Sequence, residues 1–123
     1  MKILIVDDSR FVQLTTAKLL ETYIENLEII FASDGKEGFS KYKESKPDYV
    51  FIDLLMPNVD GQELIKLIKK QDKNSKIFVI SADVQKSVRK EIESYGIIGF
   101  INKPFTQEKA ESVAKLIKGD INV

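Results

Sequence analysis

Five short apolar runs, each followed by a segment of helical spacing, constrain this chain more than any other feature. KILIV (Lys2 to Val6), EIIFA (Glu28 to Ala32), YVFI (Tyr49 to Ile52), KIFVI (Lys76 to Ile80) and IGFI (Ile98 to Ile101) are β-branched or aromatic and nearly unbroken, as strands buried on both faces are. Between and after them, apolar residues recur every three or four positions: Val12, Thr16, Leu19 and Tyr23; Phe39 and Tyr42; Leu64, Leu67 and Ile68; Val88, Ile92 and Tyr95; Val113, Leu116 and Ile117. Ser9, Asp34 and Asp60 are placed to cap helix starts, Asp60-Gly61 reads as a turn, Gly96 suits a helix end, and Pro47 and Pro104 stop what precedes them. A regular βα alternation demands right-handed crossovers and helices on both faces of a parallel sheet, which is the doubly wound α/β architecture. One globular domain over residues 1–123 is expected.

Composition then removes whole classes of chemistry. Nineteen basic residues balance nineteen acidic ones, so the chain lacks the charge excess of a dedicated nucleic-acid or polybasic membrane binder. With no cysteine and no histidine there is no disulfide framework, no thiolate zinc site and no imidazole base. Oxygen chemistry remains. No segment has the length of a membrane span, and MKILIVDDS meets acids too early for a signal peptide, so the expected location is cytoplasmic.

The polar residues at the strand ends locate a site. Asp7 and Asp8 follow the first strand, Asp53 the third, Ser81 the fourth and Lys103 the fifth, so all five belong to one edge of the sheet. Ligands in doubly wound sheets bind beyond the carboxyl ends of the strands, where strand order reverses; in the order 2-1-3-4-5, strands one and three are neighbours there. Three adjacent carboxylates repel one another and need a cation or water to stay ionised. With no nitrogen or sulfur ligand available, they favour a hard cation, and so few protein ligands favour Mg2+ over Ca2+.

Together, IVDDS, FIDLLMPNVDG, VISAD and FINKPF resemble the receiver domain of two-component response regulators, over essentially the whole chain. The resemblance implies a flavodoxin-like (βα)5 sandwich and strand order 2-1-3-4-5. It implies that Asp53 accepts a phosphoryl group from the phosphohistidine of a sensor histidine kinase. It makes Asp8, Asp53 and the Leu55 carbonyl the Mg2+ ligands, with Asp7 acting through a coordinated water. Lys103 and Ser81 would meet the phosphoryl oxygens; Met56, Pro57 and Gly61 would shape the loop over the site; Lys103-Pro104 resembles the family's cis peptide. Ser81 and Phe100 would form the switch, Phe100 turning inward as Ser81 moves, which changes the face made by the fourth helix (about Val84 to Tyr95), the fifth strand and the fifth helix. A downstream effector, of which a flagellar motor switch in chemotaxis is one form, would read that face.

The expected protein is thus a monomeric phosphoacceptor rather than a conventional enzyme, able to catalyse its own phosphorylation and dephosphorylation. It acts without direct nucleic-acid or membrane contact. Two competing classes are a Mg2+-dependent phosphatase and a receiver-like scaffold that works without phosphorylation. The first often has a nucleophilic Asp and a second acid two residues later, whereas Asp7 and Asp8 are adjacent; the second would be favoured by loss of Asp53 or Lys103, and both are present. Bland readings also exist: Asp8 and Ser9 as helix caps, Lys103 and Ser81 as surface groups, Phe100 and Phe105 as core residues, and Lys86, Arg89 and Lys90 as a solvated helix face. The chain has Ser81 where threonine is common and Phe100 where tyrosine is common, while Leu55 and Asp83 flank the path of attacking water.

Overall fold

A computed structural model describes residues 1–56, 58–82 and 84–121, the side chains of 120 and 121 excepted. Pro57 and Asp83 lie outside the described residues. The elements follow one another as β1 (Lys2–Val6), α1 (Arg10–Tyr23), β2 (Glu28–Ala32), α2 (Gly35–Ser45), β3 (Tyr49–Ile52), α3 (Gly61–Gln71), β4 (Ile77–Ser81), α4 (Lys86–Glu93), β5 (Gly99–Asn102) and α5 (Gln107–Ile121). All pairings are parallel, in the order β2-β1-β3-β4-β5.

The pleat sends alternate residues to opposite faces, and each face has its own core. Leu4, Val6, Val50, Ile52, Ile77 and Val79 pack against Tyr42 of α2, Leu64, Ile65 and Ile68 of α3, and Ile92 of α4. Ile3, Ile5, Tyr49, Phe51, Phe78 and Ile80 pack against Ala17 and Leu20 of α1 and Val113, Ala114 and Ile117 of α5. The Phe51 and Phe78 rings stack at 4.9 Å. Burial of each aliphatic side chain of this kind stabilises the fold by about 1.5–3 kcal/mol, so the central strands anchor the whole.

Several sequence expectations shift by a residue. β4 starts at Ile77 and includes Ser81; β5 runs from Gly99 to Asn102. The edge strands β2 and β5 are half-buried, not covered on both faces, because each has a neighbour on one side only and an incomplete helix cover. In α1 the buried stripe is Gln13, Thr16, Ala17 and Leu20, one step round from Val12 and Leu19. Leu116 of α5 is exposed. Helix α4 is shorter than Val84 to Tyr95, buries only Ile92 and has no side-chain cap, so few contacts hold it. The caps expected at Ser9, Asp34 and Asp60 are made to Val12, Glu37 and Glu63. Gly96 takes a φ of 84° just past α4, a conformation that glycine adopts without steric cost.

Candidate functional site

Each functional side chain stands where a strand leaves the sheet. Asp7 still pairs with β2 through its N–H to Ala32 O (3.0 Å), and Asp53 pairs with β1 through its N–H to Val6 O (3.0 Å). Lys103 N–H donates to Ser81 O at 2.8 Å, bringing the β5 and β4 ends together. These ladder bonds fix where the backbone that carries each side chain leaves the sheet.

Asp7, Asp8 and Asp53 each offer a carboxylate oxygen, and the three atoms lie within 4.8 Å of one another. Asp7 and Asp53 are buried, at 3% and 5% exposure, while Asp8 faces solvent. Lys103 Nζ reaches across from β5 to Asp7 Oδ2 at 3.1 Å and to Asp53 Oδ2 at 3.5 Å. Asp7 Oδ1 accepts from Ser9 N–H at 2.9 Å, and Leu55 N–H donates to Asp53 Oδ1 at 3.4 Å. Burial pushes the Asp53 carboxyl above the ordinary aspartate value; Lys103 draws it back, while Asp7 and Asp8 push it up further. One ammonium does not offset three carboxylates. The all-oxygen donor set and the uncompensated charge fit a hard divalent cation.

Of the remaining expected residues, Ser81 is fully buried and its Oγ has no hydrogen-bond partner among the described residues. It lines a cavity of ≈ 260 Å³ with Leu54, Leu55, Val84, Val88 and Ile92. A buried hydroxyl without a protein partner costs about 1–3 kcal/mol unless water or a ligand meets it. Leu55 exposes its side chain, so only its backbone is placed for a ligand role. Met56 packs against the α2–α3–α4 core. Gly61 is needed for close approach: a Cβ there would stand 2.2 Å from Asp53 O. The Lys103-Pro104 peptide is cis. Phe100 is half-buried, with the Arg89 guanidinium 4.7 Å from its ring centroid and Glu93 3.6 Å from Arg89 Nε. Lys86 and Lys90 are exposed as a solvated basic face requires, and Arg89, its side chain 41% exposed, belongs to that face while resting on the Phe100 ring.

Sequence reasoning missed two supports. Gln13 is buried at the base of the β1–α1 loop and donates from Nε2 to Asp7 O at 2.7 Å. The only signal was a polar residue on a helix whose apolar spacing pointed one position away. The second support joins the β3–α3 loop to α2. Asn58, at φ 62°, donates from Nδ2 to Asp34 Oδ2 at 2.9 Å, and a Cβ on Gly35 would meet Val59 O at 1.8 Å. Asp34 is held below the ordinary aspartate value by the Glu37 N–H and then by Asn58.

The comparisons with known proteins agree with this geometry. The family model described as the response regulator receiver domain matches residues 3–115. Chemotaxis protein CheY of Thermotoga maritima is 37% identical over 119 residues, covering 95% of this chain and 98% of that protein. Chemotaxis protein CheY of Bacillus subtilis is 35% identical over 123 residues, with 98% of each chain covered. The structure of the CheX-CheY-BeF3-Mg+2 complex from Borrelia burgdorferi superposes with a TM-score of 0.87 at 32% identity, covering 95% of this chain and 89% of that one. With five parallel strands in the order 2-1-3-4-5, acids at the β1 and β3 ends and these relatives, the chain belongs to the response regulator receiver domain family of two-component signal transduction.

Proposed function

We propose that Asp53 is the phosphoryl acceptor of a chemotaxis-type response regulator and that phosphorylation switches its binding to an effector. The observation that carries this reading is the Lys103 ammonium set between Asp53 and Asp7, two of the three carboxylates gathered at the sheet edge. An Asp53 carboxylate oxygen attacks phosphorus; the new O–P bond forms as the N–P bond of a kinase phosphohistidine breaks, and the imidazole keeps the electron pair. Transfer of this kind needs positioning and charge neutralisation more than covalent assistance. Asp8, Asp53 and the Leu55 carbonyl would hold Mg2+, with Asp7 bonded to its water, and the ion would neutralise phosphoryl charge. Lys103 and the unpaired Ser81 hydroxyl supply the donors that the arriving oxygens need.

The switch follows from packing. If Ser81 swings toward a phosphoryl oxygen, it leaves the cavity beneath α4, and Phe100 of β5, packed against the same core as Val88 and Ile92, would turn inward to fill it. The effector then reads the α4-β5-α5 face, a flagellar switch component being one such partner. We place the protein in the cytoplasm as a monomer over residues 1–123; among the described residues no helix is long and apolar enough to cross a membrane. The phosphatase and scaffold alternatives are not favoured by the receiver-domain match or by the presence of both Asp53 and Lys103.

The test is labelling with radioactive acetyl phosphate. Wild-type protein incorporates about one phosphoryl group per chain with Mg2+ and none in excess chelator. Asp53→Asn incorporates none while remaining folded. Labelling of that variant at the wild-type rate would refute the acceptor assignment.

A further inference from the structure

We infer that Gln13 is a positioning residue for Asp8, acting through the peptide that joins Asp7 to Asp8. The inference rests on the reading of Asp8 as a metal ligand. Among the described residues no hydrogen bond or ion pair reaches the exposed Asp8 side chain, whereas Asp7 is pinned by Lys103 and by Ser9 N–H. Whatever aims Asp8 must therefore act through its backbone.

Gln13 is placed to do so. It is 1% exposed, and its Nε2 donates to Asp7 O at 2.7 Å and to Ala32 O at 3.2 Å. Ala32 O also accepts Asp7 N–H, so the amide of Gln13 stands beside the last rung of the β1–β2 ladder, where β1 turns away from the sheet. The Asp7 carbonyl has lost its strand partner at that point, and a helix side chain replaces it. Because the peptide unit is planar, fixing that oxygen also fixes the Asp8 nitrogen and Cα, and so the point from which its side chain leaves the chain. Gln13 is in turn oriented: its Oε1 accepts from Arg10 Nη1 at 3.0 Å, and the Arg10 guanidinium rests 4.9 Å from the Phe31 ring centroid. The amide thus has its acceptor end toward the cation and its donor end toward the two carbonyls.

A group that only orients a ligand weakens metal binding when it is lost, and leaves the chemistry of the loaded site nearly intact. The experiment titrates Mg2+ into wild type, Gln13→Met and Gln13→Asn, following the Asp8 and Asp53 amide signals by NMR. Each protein is also labelled with acetyl phosphate across a range of Mg2+. Methionine keeps the volume without a donor; asparagine keeps the donor but is too short to reach. The expected result is a Mg2+ Kd raised about tenfold in both variants, with the labelling rate at saturating Mg2+ within about twofold of wild type. Wild-type Kd values in the folded variants would overturn the inference, as would a loss of saturated rate without a change in Kd. Unfolding of both variants would also overturn it, making Gln13 a core residue. A wild-type protein that binds no Mg2+ would instead remove the metal reading itself.

Discussion

Lys103 Nζ stands 3.5 Å from Asp53 Oδ2, although the two residues are separated by about fifty positions and follow strands, β3 and β5, that are not neighbours in the sheet. The lysine occupies the place where positive charge is most needed, and a divalent cation would compete with it electrostatically. Lys103→Met should therefore bind Mg2+ more tightly, by about tenfold. Its labelling by acetyl phosphate at saturating Mg2+ should fall about a hundredfold, because no ammonium remains to meet the phosphoryl oxygens. Without metal, the uncompensated buried carboxylates should cost about 2 kcal/mol of stability, restored when Mg2+ is added. Weaker Mg2+ binding by NMR titration would contradict this account.

Ser81→Ala separates stability from switching. The hydroxyl has no partner among the described residues, so its removal should leave stability unchanged or raise it by up to about 1 kcal/mol in urea denaturation. Phosphorylation of the variant should no longer alter effector binding, since the α4 cavity keeps its contents. Perturbation of Phe100 and α4 signals equal to that of the wild type, on adding beryllofluoride and Mg2+, would defeat the prediction.

Gly61 and Gly119 offer a controlled pair. A Cβ at Gly61 would press on Asp53 O and Leu54 Cα, whereas one at Gly119 meets nothing within 4 Å. Gly61→Ala should lose about 3 kcal/mol, a fall of roughly 10 °C in Tm. Gly119→Ala, inside α5, should hold stability or gain a few tenths of a kcal/mol, about what helix propensity allows near a helix end. Equal Tm values for the two variants would refute the steric argument.

Tyr42 governs part of the alkaline limit. Burial raises its phenol above the ordinary value of 10.0, and Asp72 adds to the effect. A raised acid favours the protonated fold: its stability contribution is intact below the ordinary tyrosine value and is lost as pH climbs through the raised one. Tyr42→Phe should match wild type within about 1 kcal/mol at pH 7, since the contact to Asp72 Oδ2 is a long 3.4 Å. Above pH about 10 the variant should unfold later than the wild type. Coincident alkaline unfolding curves by circular dichroism would rule this out.

Much of the architecture and the site was legible along the chain, because both follow from local patterns. The runs KILIV and YVFI mark strands by hydrophobic continuity, and acids, a hydroxyl and a lysine placed directly after such runs are carried to one edge by parallel topology alone. Asp7, Asp8 and Asp53 come together in this way, with Lys103 between two of them. Hydrophobic spacing is less exact about rotation: Val12 and Leu19 suggested one face of α1, while packing beneath the β1–α1 loop buried Gln13 and Leu20 instead. A polar side chain is tolerated there because its amide donates to Asp7 O and shares Ala32 O with the Asp7 N–H, and those carbonyls meet it only in the folded chain.

The order of elements and the charged residues carried to the sheet edge can be read along the chain, since periodicity and strand-end position are properties of neighbouring residues. The Ser81 Oγ without a partner among the described residues, the Arg89 side chain over Phe100, the tie from Asn58 to Asp34 and the Gln13 bond to Asp7 O arise only on folding. These are contacts between segments remote in sequence or on different faces of an element, and their geometry is set by how helices seat on a twisted sheet, which no local pattern encodes.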